Sequence, residues 1–296
     1  MRSRVLVHGG IDCPDTPEVR AALARAAGAG LAALLRDGTP CDAVVAAISV
    51  LEDDPLFNAG YGSVLNRDGR VEVDAGLADG ATGRYAAVGA APGVRNPIQA
   101  AGSLLADADG PVLLAGEGAA RYAAERGIAT GSLVTGEQLA SWRGDGAGVS
   151  RFTGRAVRTE TVGCVAVSPE GTRGGPAAGS STGGFQGKVP GRIGDAAVHG
   201  AGFYADPAGA AVCSGLGEAT MRVLLARRAV RLIPEGDPAA AAVRELLGSR
   251  DIAAGVLTYD PRTDRASAAH HGASFPVMSA TPEGTEHIPS VRLEVP

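Results

Sequence analysis

The sequence predicts a layered α/β domain divided by one linker. Three observations carry that reading. Segments of helical periodicity open on Thr-Pro, short apolar runs are bounded by glycine, and no unit repeats at a fixed period. "RVLVHGG" at 4–10 is a short buried strand that ends in a glycine turn. The stretch 16–38 is a helix with Thr16 as cap, Pro17 at the first position and Gly38 near the stop. The stretch 39–54 repeats the device with Thr39, Pro40 and Asp42. Strand-like runs follow at 63–66, 70–79 and 84–91, the first two joined by the turn "RDG". Helices are expected at 96–108 and 116–127, with "PVLLAG" between them.

From about Gly131 to Thr159 the chain is glycine-rich, polar and without sustained periodicity, so it reads as an exposed linker. Strands resume at 161–168, 175–182, 196–202 and 209–215. Two helices at 217–233 and 237–249 and a hairpin at 252–271 complete the pattern. Elements before and after the linker are of the same kinds, which suits one layered domain over 1–296.

A net charge of −5 argues against nucleic acid and anionic membranes as partners. Aromatics make up only 4%, too few for a stacking platform. The N-terminus is too short in apolar residues for a secretory segment, and no run approaches the ~18 apolar residues of a membrane helix. Cys13, Cys41, Cys164 and Cys213 form no C-x-x-C pair. A soluble, thiol-reduced, cytoplasmic protein is expected.

Four motifs compete for the chemistry. Gly179-Ser180-Ser181-Thr182-Gly183 matches G-x-S-x-G, with Asp195, His199 and His270 as conceivable partners, but no helical pattern follows it. The clusters "NAGYGS", "GEGAAR" and "SGLGEA" complete no nucleotide-binding fingerprint and read as tight turns. Among five histidines only His270-His271 is a cluster, and neighbours in a strand face opposite ways, so no catalytic metal is expected. Thr161 remains. A threonine at a strand start is ordinary. This one, however, stands where a flexible linker meets a core strand, which is what self-cleavage requires. Scission there would give the threonine a free α-amine to act as base for its own hydroxyl.

The segments "ETVGCVAV", "SSTGGFQGKVPGRIGD", "GAGFYAD" and "CSGLGE" resemble the plant-type asparaginase, isoaspartyl peptidase and aspartylglucosaminidase group of N-terminal-nucleophile hydrolases. So do "HGG" at 8–10, "LEDDPLFNAGYGSVL" at 51–65, "DAGLADG" at 74–80, "VRNPIQAA" at 94–101 and "LLAGEGA" at 113–119. The resemblance implies a four-layer αββα sandwich, made as a precursor that cuts itself between Glu160 and Thr161. The products would be an α fragment, 1–160 with its linker at about 131–160, and a β fragment, 161–296. Thr161 would then attack the side-chain amide of an L-aspartyl substrate, a β-aspartyl dipeptide or L-asparagine, through a β-aspartyl enzyme.

The resemblance also assigns roles. Thr182 matches a second threonine beside the nucleophile, and Asn58 a site asparagine. Ser214 and Gly215 match the hydroxyl and N–H of an oxyanion hole. Arg192 matches the group that grips the substrate α-carboxylate, Asp195 the group that receives its α-amine, and Gly217 a further substrate contact. A structural sodium would sit on the backbone of Leu51, Glu52, Asp54, Phe57, Ala59 and Tyr61, and catalysis would need no cofactor. The small aspartyl substrate is the expected partner, and the cleaved units are expected to pair as a homodimer.

Three positions depart from the family pattern. Glu160 stands where Gly or Asp is usual, Ser214 replaces Thr, and the turn "SPEGTRGGP" is slightly long. Alternative activities on the same residues are glycosylasparagine hydrolysis, amide transfer to an amine, and binding by an uncleaved, inactive chain.

Overall fold

The computed structural model describes residues 3–144, 160–169, 174–248 and 252–294. The chain begins with β1 (Arg4–His8), α1 (Pro17–Leu35) and α2 (Pro40–Asp53). Thr16 caps α1 by accepting the Val19 N–H. Thr39 and Asp42 form a reciprocal capping box on α2, so two otherwise orphaned N–H groups are satisfied. Next come β2 (Glu72–Asp79), β3 (Arg84–Pro92), α3 (Pro97–Ala106), β4 (Leu113–Ala115) and α4 (Gly116–Glu125). After α5 (Gly136–Gly144) the description resumes with β5 (Val162–Val167) and β6 (Ala177–Thr182). The remainder is β7 (Phe203–Asp206), β8 (Gly209–Gly215), α6 (Gly217–Val223), α7 (Leu225–Arg231) and α8 (Pro238–Leu247). It ends with β9 (Ala254–Asp260), β10 (Arg265–His271), β11 (Val277–Thr281), β12 (Gly284–Ile288) and β13 (Val291–Arg292).

The strands form two sheets, ordered β12-β11-β1-β5-β6-β2-β3-β4 and β13-β10-β9-β8-β7. Side-chain alternation divides the apolar residues among three cores. Val5 and Val7 of β1 and Cys164 and Ala166 of β5 join α1 and α2 residues such as Leu23 and Ile48. Leu6, Val165 and Val167 point the other way and meet Phe203, Val212 and Leu257 of the second sheet. Ala211 and Cys213 of β8 turn outward onto Ala229, Val230 and Val243 of α7 and α8. Burial on both faces is why these strands read as unbroken apolar runs rather than alternating ones. Among the described residues no helix is long and apolar enough to cross a membrane.

Several local expectations give way. Residues 63–66 form no strand. Asn66 instead folds its side chain onto the N–H groups of Asp68 and Arg70, and the Val64 N–H is taken by Asn58. Residues 196–202 are a single 3-10 turn and a loop, and the strand is the following "FYAD". The helix expected over 217–233 breaks at Leu224, which is left-handed at φ 51°. The linker is ordered in its first part. Thr135 and Gln138 cap each other's N–H to start α5, and Trp142 donates to the Asn66 carbonyl. Residues 145–159, the rest of that linker, and 170–173 of the long turn lie outside the described residues. Three further strands follow residue 271, beyond the last element expected from the sequence. β11 pairs with β1 and β12 with β11.

Candidate active site

β1 ends beside the start of β5, with His8 paired to Gly163. That register lays Gly9-Gly10 against the Glu160–Thr161 junction. A Cβ on Gly10 would fall 2.8 Å from the Thr161 nitrogen and 2.9 Å from Glu160 Cα, and its φ is +105°. Only glycine fits both the space and the backbone there. Thr161 is 2% exposed. Its N–H donates to Ser214 Oγ at 3.2 Å, and the same oxygen accepts the Ile11 N–H at 2.9 Å. A hydroxyl has two acceptor sites and one donor, so the Ser214 proton remains to be donated. On the other side, Thr182 Oγ1 donates to the Glu160 carbonyl at 3.1 Å and accepts the Gly184 N–H at 2.9 Å. The peptide bond is thus held at its carbonyl by one hydroxyl and at its N–H by another.

The loop after β6 brings two charges to this junction. Asp195 is buried, and desolvation pushes its carboxyl up to about 6 despite the Arg192 charge and a hydrogen bond with Thr220. Its Oδ2 has no protein partner among the described residues. Arg192 forks Glu218 through Nε at 3.0 Å and Nη2 at 2.9 Å and lies 4.8 Å over the Phe185 ring. A Cβ on Gly217 would come within 2.8 Å of Arg192 Nη2 and 3.0 Å of Asp195 Oδ1, so a bare backbone is needed to admit both. Thr161, Thr182, Arg192, Asp195, Gly215 and Gly217 line one small cleft of about 20 Å³. That is room for about one water. A buried carboxylate oxygen without a partner, beside a guanidinium, suits a ligand that brings an ammonium and a carboxylate.

Asn58 does not line the cleft. Its amide donates to the Gly184 carbonyl at 2.6 Å and its oxygen accepts the Val64 N–H, so it works through the cleft wall. Gly10, Asp74, Lys188 and Glu218 escaped the sequence reading. Glu218, the acid that ends "CSGLGE", offered only a weak signal, because a helix N-terminus draws carboxylates for bland reasons too. No serine triad forms. Ser180 and Ser181 point to the Ala196 carbonyl and Glu52, and His199 stacks on Tyr85 with centroids 4.2 Å apart. Among the described residues no three His, Cys, Asp or Glu side chains gather as a metal-binding group. A larger groove of about 610 Å³ between α2 and α3 lies at the Asp79 end of β2 and contains none of the expected site residues.

The loop after α2 closes over Gly60, whose φ is +51°. A Cβ there would fall 2.5 Å from the carbonyl oxygens of both Glu52 and Arg95. Gln138 of α5 also donates to the Tyr61 carbonyl, at 3.1 Å. Only glycine fits that backbone and that space, and the Leu51, Asp54 and Ala59 carbonyls accept N–H groups within the same loop.

Residues 2–261 match the family model described as asparaginase. The chain is 40% identical to a plant-type L-asparaginase of Pyrococcus horikoshii over 70% of its length and 71% of that protein. It is 38% identical to an isoaspartyl peptidase/L-asparaginase of Bos taurus, over 84% and 82% of the two chains. The protein of the same name from Homo sapiens is also 38% identical, over 80% and 78%.

Proposed function

The chain belongs to the asparaginase family, and from that premise and its cleft we propose a self-processing threonine amidohydrolase acting on L-aspartyl side-chain amides. The observation that supports it most is the Glu160–Thr161 peptide bond itself, with Thr182 on its carbonyl and Ser214 on its N–H. Donation by Thr182 makes the Glu160 carbonyl carbon more electrophile-like. The Thr161 hydroxyl oxygen attacks that carbon, the C–N bond breaks as the nitrogen takes a proton, and an ester results. Water then cleaves the ester, leaving a Glu160 carboxylate and a free Thr161 α-amine. The layering of helices on two stacked sheets supports the αββα sandwich of such enzymes. On this reading the α fragment is 1–160 and the β fragment 161–296.

In the mature site Arg192 takes the substrate α-carboxylate and Asp195 its α-ammonium. The scissile carbonyl is then the one on the side chain. The Thr161 amine accepts its own hydroxyl proton as the oxygen attacks, and the leaving amine departs protonated. Ser214, whose proton has no acceptor among the described residues, and the Gly215 N–H stabilise the oxyanion. Water releases L-aspartate. The carbonyls of Leu51, Glu52, Asp54, Phe57, Ala59 and Tyr61 would hold a sodium ion that stiffens the loop carrying Asn58, with no part in bond making.

Neither charged group reaches the leaving amine, so β-aspartyl dipeptides should be hydrolysed, with L-asparagine slower because ammonia makes no leaving-group contacts. The test is a side-by-side assay of β-aspartyl-leucine, L-asparagine, glycosyl-asparagine and α-aspartyl-leucine on cleaved enzyme. Preference for the α-linked peptide refutes the geometry. Preference for glycosyl-asparagine replaces the substrate while keeping the chemistry.

A further inference from the structure

If Arg192 and Asp195 grip two ends of one small ligand, the distance between them decides the fit. Another buried carboxylate, Asp74, holds the loop that carries both. Asp74 of β2 is fully buried and pairs across the sheet with Thr182 of β6. The β2–β3 register slips between Val73 and Ala75, and Ala90 opposite takes φ 46°. Bulges of this kind re-aim side chains. Here Asp74 Oδ1 accepts the Ala90 N–H at 2.7 Å, and Oδ2 accepts the Gly194 N–H at 2.8 Å. Gly194 is the residue just before Asp195, and a Cβ on it would lie 2.6 Å from Arg192 Nη1. Lys188, also fully buried, donates to the Glu72 carbonyl at 2.8 Å. Burial pushes its pKa down, Asp74 and Glu72 pull it back up, and Arg192 repels it.

We propose that Asp74 is a positioning residue that pins Gly194 to the β3 bulge and so fixes the separation of Arg192 from Asp195, with Lys188 balancing its charge. The site then selects ligands bearing both an α-ammonium and an α-carboxylate over ligands bearing one. This rests on the reading of the cleft as an aspartyl site. Rigidity makes the difference. A ligand with a single charged group can follow its partner when the loop shifts, whereas a ligand that bridges both cannot. Two N–H groups converge on Asp74, and a carboxylate meets both with acceptors. An amide offers one acceptor and sets its NH₂ against the other N–H.

The experiment is calorimetric titration of cleaved wild-type and Asp74→Asn protein with three probes. L-aspartate has both α-groups, succinate lacks the ammonium, and β-alanine lacks the α-carboxylate. Asp74→Asn should weaken L-aspartate by about 10- to 100-fold, while succinate and β-alanine change by less than about threefold. Equal weakening of all three, or an unchanged L-aspartate affinity, overturns the proposal. Circular dichroism establishes that the variant is folded. Should it not fold, Asp74→Glu, which keeps the charge but displaces both acceptor oxygens, is titrated with the same probes and judged by the same two outcomes. A wild-type protein that binds L-aspartate no better than the truncated acids defeats the aspartyl reading itself. A wild type that discriminates, beside an Asp74→Asn protein that discriminates equally, defeats only the Asp74 assignment.

Discussion

Asp195 keeps a charge where burial opposes one. Its carboxyl is raised from 3.8 to about 6, chiefly by desolvation, in a setting that also contains Arg192, Thr220 and Asp74. Between those two values the folded chain retains a proton that the unfolded chain has released. Stability therefore falls as pH rises through that window, and the whole penalty is present above it. Asp195→Asn should raise thermal stability at pH 7.5, on the order of 2 kcal/mol, and the gain should vanish near pH 4. The same variant should lose turnover, and a pH-independent difference in melting temperature would contradict the assignment. In the wild type, L-aspartate affinity should fall by about tenfold per pH unit well below pH 6, because the ammonium needs an ionised partner. Arg192→Ala should cost about 2–5 kcal/mol in kcat/KM on L-asparagine while scission at Thr161 persists. Unchanged turnover would reject Arg192 as the carboxylate group.

At the scale of elements, sequence signals were strongest where a side chain acts on its own backbone. Thr16 and Thr39 announced their helices because an N-cap is a local device, and the structure has both. Thr39→Ala should lower stability by about 1 kcal/mol with no effect on substrate affinity, measured by denaturant titration. Elements ruled by distant partners were harder to read. Residues 63–66 look like a strand, but Asn58 claims the Val64 N–H and the Asn66 side chain turns onto the N–H groups of Asp68 and Arg70. β12 shows little apolar signal because it is a largely exposed edge strand, held in place by pairing with β11. α5 hid within a glycine-rich stretch, and its anchors are Gln138 on the Tyr61 and Ser63 carbonyls and Trp142 on Asn66. Trp142 is the sole tryptophan. Its emission should keep its folded wavelength after scission at Thr161, and a shift to that of the denatured chain would mean that α5 has undocked.

The whole molecule explains why the cleft was half legible. Thr161, Thr182, Arg192, Asp195 and Ser214 come from three separated stretches, and a resemblance in their motifs was needed to group them. What no local pattern carries is contact between segments far apart in the chain, such as Gly10 against Glu160 or Asp74 against Gly194. β1 from one side of the junction and β5 from the other are adjacent strands, and β5 and β6 lie between β1 and β2. Both fragments therefore share one sheet and should stay together after scission. Denaturing intact-mass measurement of the purified protein, with native chromatography beside it, tests this most directly. A 160-residue and a 136-residue fragment, the second beginning Thr-Val-Gly-Cys, should elute as one species when native, while Thr161→Ala stays whole. A wild-type chain that remains at 296 residues after prolonged incubation, or one cut at another bond, would contradict it.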